Sequence, residues 1–274
     1  ETYYGVGLGD IGVSFFGPFD EIDIKVDATT GGGSLLNIPL ESSEFLLDKG
    51  FVNFDYKSDR DTSSRSNDPF EAIRLSGADF EMNLSFTPEA DVRVIFDQSV
   101  DEVLAAKGSG DLRVTVKRDG TFEVFGNYLV ESGDYLYSAY GITAKRFLLR
   151  RGGVVRWTGD PYNAILDVEA DYTGMRAPLD IFLSEFIVSA SESVKNEAKS
   201  RTDVALQLDL GGTLFQPDVN FDISFPNVTG ELKTYTDNKM RSLRTTENGI
   251  NNQVFGLMFF NNFLPSNNPL ANIS

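Results

Sequence analysis

Neither histidine nor cysteine occurs anywhere in the 274 residues. Without histidine the commonest general base is gone, and with it the Ser-His-Asp and Cys-His arrangements. Without cysteine there is no thiol nucleophile, no disulfide and no thiolate metal site. The missing thiols leave the redox compartment open, and an exported protein that folds without disulfides fits as well as any other. Long apolar runs are absent too, so nothing in the chain reads as a membrane-spanning helix. The chain opens at Glu1-Thr2-Tyr3 with neither an initiator methionine nor a signal sequence, and we expect a piece of something longer, with any membrane segment upstream. Basic residues are outnumbered, 24 against 41 acidic, for a net charge of −17. A chain that acidic is repelled by phosphate backbones, so nucleic acid is not an expected partner, and it has no basic patch for anionic headgroups.

What is present is alternation. Ile22, Ile24, Val26 and Ala28 interleave with Asp23, Lys25 and Asp27, and Phe80, Met82, Leu84 and Phe86 with Asp79, Glu81, Asn83 and Ser85. Leu112, Val114 and Val116 lead through Asp119-Gly120 to Phe122 and Val124, the pattern of two strands around a tight turn. Residues 165–170, 204–210 and 219–225 repeat the period of two. About a dozen strands result, each apolar on one face and charged on the other, which predicts an all-β fold built on antiparallel pairing. Two segments differ. Residues 179–199 carry Leu179, Phe182, Leu183, Phe186, Ile187, Ala190, Val194 and Ala198 at helical spacing and predict one amphipathic helix. Residues 231–264 predict a partly helical tail that ends in an apolar run.

Three stretches invite a chemical reading. "GVGLGD" (5–10) has the glycines of a phosphate loop, but Ile11, Val13 and Phe15 continue as a strand where a helix would be needed. "DRDTSS" (59–64), inside the polar loop 56–69, has the Asp-x-Asp spacing of a calcium loop but lacks its glycine and its terminal glutamate. Trp157, the single tryptophan, stands near Asp160, Asp167, Glu169 and Asp171. The last three share one strand face, without the environmental asymmetry that separates an acid from a base. A carbohydrate-active domain working through these carboxylates is the remote alternative. The expectation is therefore no enzyme, no catalytic residue, no metal and no cofactor.

A dozen one-faced strands present a large apolar surface, far more than a single helix covers. Such a sheet must curl on itself, pair with another, or hold an apolar ligand. At this point residues 107–226 become recognisable. The run "VVRWTGDP" (154–161), the strand Leu166-Asp167-x-x-Ala170-x-Tyr172 and the segment Gly212-x-Leu214…Pro217…Phe221-Asp222-Ile223-x-Phe225-Pro226-Asn227 follow one another in order. This resembles the C-terminal domain of TamB, the translocation and assembly module subunit of the AsmA-like family. The tail "NNQVFGLMFFNNFLP" is similar to that family's terminal stretch, while residues 1–106 match in style alone.

The resemblance implies an elongated sheet curled into a U-shaped groove, a "β-taco", with an apolar interior. Residues 1–106 would be repeats continuing from upstream, and residues 107–274 the terminal domain. It implies a non-enzymatic periplasmic protein of a diderm bacterium, anchored upstream in the inner membrane and contacting the outer membrane. There it would assist outer-membrane protein assembly with a barrel of the TamA/BamA type, carry phospholipid, or both; a purely structural scaffold for that barrel is the alternative. Partners would be the barrel, phospholipid acyl chains and outer-membrane protein clients. On this reading the groove is lined by Phe80, Met82, Leu84 and Phe86, by Leu112, Val114, Val116, Phe122 and Val124, and by Trp157, Leu166, Val168, Leu206, Leu208, Phe221 and Ile223. Val254, Phe255, Leu257, Phe259 and Phe260 are the expected partner-docking residues.

Overall fold

The computed structural model describes residues 4–18, 22–39, 78–97, 101–139, 143–246 and 248–265. The fold is all-β, with three α-helices among the described residues, and it divides into two compact units that are not contiguous in sequence. The first comprises Glu1–Gly133, Arg151–Leu166 and Thr213–Gln216; the second comprises Asp134–Arg150, Asp167–Gly212 and Pro217–Ser274. The polar loop 56–69, with its calcium-like spacing, lies outside the described residues.

In the first unit the chain runs through β1 (Tyr4–Val6), β2 (Gly9–Phe16), β3 (Asp23–Thr30), β4 (Leu35–Pro39), β5 (Asp79–Phe86), β6 (Asp91–Asp97) and β7 (Glu102–Val116). β8 (Phe122–Ala139) begins here and, after β9 (Thr143–Leu149) of the second unit, β10 (Val154–Gly159) returns. Lys117–Thr121 close the β7–β8 hairpin, with Gly120 at φ +85° and the Thr121 amide donating to Asp119 at 2.8 Å. The expected Asp-Gly turn is in place. Pairing is mixed, however. β3 runs parallel to β5 (Val26 opposite Met82) and β4 parallel to β6 (Leu36 opposite Val92), whereas β2–β3, β5–β7, β6–β7 and β8–β10 are antiparallel.

β1 to β6 make sense as three long strands, each broken at the same level, laid beside an unbroken β7. β5 and β6 both pair with β7, the first along its residues 110–116 and the second along 102–107. They are one partner interrupted at Thr87–Ala90. β3 and β4 follow them in parallel with a break at Gly31–Ser34, and β1 and β2 follow in turn with a break at Gly7-Leu8. Where the backbone ladder lapses, hydroxyls take over, because buried amides and carbonyls must find partners. The Leu8 amide donates to Ser34 Oγ (3.0 Å), and that hydroxyl donates to the Leu8 carbonyl (2.7 Å). The Thr87 amide and hydroxyl bond to the Thr30 hydroxyl and carbonyl (2.9 and 2.8 Å). On β7 and β8 the same level is marked by glycines in backbone contact. A Cβ on Gly110 would lie 2.1 Å from the Asn127 carbonyl oxygen, and one on Gly126 equally close to that of Asp111. Only glycine permits this approach.

In the second unit β8 continues into a hairpin with β9 (Tyr135 opposite Phe147), followed by β11 (Ile165–Ala177), β12 (Thr202–Gly212) and β13 (Pro217–Ser224), all antiparallel. The helix expected over 179–199 is shorter. Residues 179–190 form successive turns, and α1 spans Glu192–Lys199. Leu183 and Ile187 make i−4 amide bonds, but Ser184, Phe186 and Ala190 make i−3 bonds, so no single ladder builds up. The Ser191 hydroxyl then accepts from the Val194 amide and starts a new helix. The apolar positions are nevertheless buried, Leu179, Phe182, Leu183 and Ile187 among them. Residues 231–264 contain two helices, α2 (Gly230–Arg244) and α3 (Gly249–Phe260), separated by a corner at which Asn248 adopts φ +55°. After α3 the chain folds back, and the Gln253 side-chain amide holds Leu264 by two 3.0 Å bonds to its backbone.

Candidate functional site

The apolar face of the first unit lines a pocket of about 120 Å³ that is open to solvent on one side. Below the break it is walled by Met82, Leu84 and Phe86 of β5, Leu112 and Val114 of β7, and Phe122 and Val124 of β8. Above it come Leu36 and Ile38 of β4, Val92 of β6 and Tyr128 of β8, with Trp157 of β10 completing the wall. Alternation explains the selection: along each strand every second residue points inward, and the crease lets one face look at itself. The phenol of Tyr128 is neutral, because burial pushes its pKa up, and its hydroxyl lies 3.4 Å from the Ala106 carbonyl. No charged side chain lines the space.

Eight of the expected groove residues therefore come together here, Trp157 among them. Phe80 and Val116 face each other one pair further along β5 and β7 and do not border the cavity. Leu36, Ile38, Val92 and Tyr128 were not singled out in the sequence. The first two stand at period two in "LLNI", and Val92 and Val94 alternate in "DVRVIF", which was the available signal. Leu166 is buried in the first unit. Val168, Leu206, Leu208 and Ile223 are buried in the second, where Phe221, Tyr137 and Phe147 interlock with ring centroids 5.3 and 6.0 Å from Phe221.

Trp157 is 9% exposed, and its indole N–H donates to the Pro161 carbonyl at 3.2 Å. Asp160 caps the 3-10 turn Pro161–Asn163: its carboxylate accepts from the Tyr162 amide (3.0 Å) and the Asn163 side chain (2.6 Å). Each oxygen of that carboxylate thus accepts a hydrogen bond within the corner. Glu169 and Asp171 lie on the outer side of β11 and share Arg150, whose guanidinium is bidentate on Asp171 at 2.6 Å. Those bonds, first to Asp171 and then to Glu169, raise the arginine's pKa further, so these carboxylates sit permanently beside a cation. Along "GVGLGD", β2 continues as a strand after Gly9, with no helix N-terminus to hold a phosphate. Among the described residues no group of three or more carboxylates is placed to hold a metal ion.

The C-terminal set splits by exposure. Val254 and Leu257 are buried in the second unit, Phe255 and Phe259 are half-buried, and Phe260 is 58% exposed.

A family model for the TamB C-terminal domain matches residues 5–274. The chain belongs to that family. No curated protein shows significant similarity to it. The match does not stop near residue 107 but includes β2 to β6, so the creased strands of the first unit are part of the family's sequence pattern. Membership connects this TamB domain with outer-membrane protein assembly or secretion in the bacterial envelope, and with the translocation and assembly module. The family is not known for enzymatic activity. No helix of the described residues is long and apolar enough to cross a membrane.

Proposed function

We propose that this TamB domain is a periplasmic, non-enzymatic conduit element, whose creased apolar face shields phospholipid acyl chains between the inner and outer membranes. The observation that carries this reading is the cavity of the first unit, walled by aliphatic and aromatic side chains from β4 to β10 and free of charge. The same face does not end there. In register, Met82 faces Val26 and then Val13, and Leu84 faces Ala28 and then Ile11, so the lining continues onto β2. There Ile11 and Phe15 are 63% and 68% exposed. An apolar track leading from solvent into a cavity suits a ligand that slides.

Magnitudes favour transit over storage. Each buried methylene contributes about 0.8 kcal/mol, so the half-dozen that fit a cavity of this order contribute about 5 kcal/mol before ordering costs. That corresponds to weak, rapidly exchanging occupancy. On this reading the chain is anchored upstream in the inner membrane, works beside a TamA/BamA-type barrel, and gives outer-membrane protein clients a membrane into which to fold.

A photo-crosslinking residue at Leu84 or Val114 tests the proposal in cells. Crosslinked phospholipid is expected at both, and none at Arg113, which lies between them on the outer face. Absence of lipid at all three positions would sink the lipid reading. A scaffold without cargo is the second reading, and the interlocked Tyr137, Phe147 and Phe221 rings favour it for the second unit. Recovery of the barrel with the crosslinked protein, in the absence of lipid adducts, would support the scaffold.

A further inference from the structure

The apolar face of the first unit is open at one end and shut at the other. Val13, Val26, Met82 and Val114 form one row of paired residues across β2, β3, β5 and β7. Along that row exposure falls from 49% at Val13 to 7% at Val114, with Val26 and Met82 half-buried between them. Trp157 on β10 stands beyond, at the buried end of the pocket. The remaining segments of this unit, 160–166 and 213–216, contribute Pro161, Ala164, Leu166 and Leu214. These four are buried yet line no part of the pocket, so here the chain packs on itself and the open space stops. The closure is tied by hydrogen bonds. The Leu214 amide donates to the Ala164 carbonyl (2.9 Å), and the indole N–H to the Pro161 carbonyl (3.2 Å).

Burying a phosphate without hydrogen bonds carries a heavy desolvation cost. At the shut end both hydrogen-bonding side chains of the wall are engaged, the indole with Pro161 and the Tyr128 hydroxyl beside the Ala106 carbonyl. A lipid can therefore present only its hydrocarbon end there, and its headgroup stays on the β2 side. We propose that Trp157 is the end stop of this pocket: an acyl chain enters tail-first from the β2 side, and its terminal methyl comes to rest against the indole. The inference rests on the conduit reading and gives it a direction and a depth. Within the first unit the track is blind, so a lipid leaves on the side by which it entered.

Trp157 is the sole tryptophan, so its fluorescence reports from the stop alone. The whole chain is titrated with monomeric lysophosphatidylcholines carrying bromine near the glycerol, at mid-chain or near the methyl end. Dialysis measures their binding separately. Bromine quenches an indole at contact range, and the methyl-end probe is expected to quench several-fold more strongly than the glycerol-end probe. In Trp157→Phe/Leu84→Trp the reporter sits nearer the mouth, and the mid-chain probe should become the strongest quencher. Trp157→Leu, which opens the stop without adding polarity, should shift the lipids that copurify towards longer chains. Bound probes that quench Trp157 equally from all three positions, or best from mid-chain, overturn the proposal, because the chain then runs past the indole. That result leaves the conduit reading standing, whereas no binding of any probe in dialysis sinks both.

Discussion

Lys239 is the buried charge of the second unit. Its side chain is 5% exposed, its ammonium pairs with Glu185, and it lies 5.9 and 5.8 Å from the ring centres of Phe182 and Phe186. The pair joins α2 to the turns of 179–190, which have no continuous helical ladder of their own. Glu185 is 46% exposed, so the pair is buried at its lysine end alone, and there apolar packing can replace the charge at little cost. Lys239→Met, which keeps the stem against the rings, is expected to be neutral or to stabilise by about 1 kcal/mol. Glu185→Ala, which leaves the ammonium without its carboxylate, should cost about 1–3 kcal/mol. Urea unfolding midpoints of the two variants decide the matter, and a larger loss in Lys239→Met would show that the charge itself holds the segment. Gly110 is a second test at this scale. A methyl group there would meet the Asn127 carbonyl, which is backbone and cannot swing aside, so Gly110→Ala should cost about 3 kcal/mol, the upper end for overpacking. In a strand pattern a glycine signals a weak spot or a close approach without saying which. The crease was therefore not legible from "GSGD", although its flanking alternation was.

Among the elements, strands were easy to recognise and their partners were not. An inward-outward alternation such as Ile24-Lys25-Val26-Asp27 looks the same in a parallel or an antiparallel neighbour, so nothing in β3 announced that it would lie parallel to β5. The β7–β8 hairpin was legible because Asp119-Gly120 carries its own geometry. The helix expected over 179–199 failed in an instructive way. Periodicity reported which residues are buried, and they are, but Ile187-Val188 and the serines at 189 and 191 favour turns and caps over a continuous helix. The hairpin also makes a pH prediction. Hydrogen bonds from Thr121, chiefly through its side chain and then its amide, hold the Asp119 carboxyl below the usual aspartate value. A depressed folded-state pKa contributes stability that is present above the unfolded value of about 3.9 and is lost as pH falls through the folded one. Protection of the Thr121 amide, its exchange relative to the intrinsic rate at each pH, should therefore be constant near neutrality and fall only below about pH 4. Asp119→Asn, which keeps the acceptor, should remove that acid limb.

For the whole molecule the governing quantity is the charge of −17. Ion pairs such as Arg118 with Asp23 and Lys117 with Glu123 are solvent-exposed, and such pairs contribute little to stability. Self-repulsion among 41 carboxylates is the larger effect. Raising salt from about 20 to about 200 mM should thus raise the thermal midpoint by a few degrees. A fall would mean that the outer-face pairs outweigh the net charge.

The shared break in the strands has one more consequence for the first unit. Because the interruptions from β1 to β6 fall at one level while β7 and β8 run through it, side chains from both sides of that level wall the same space. The number of strands laid side by side fixes how far it extends.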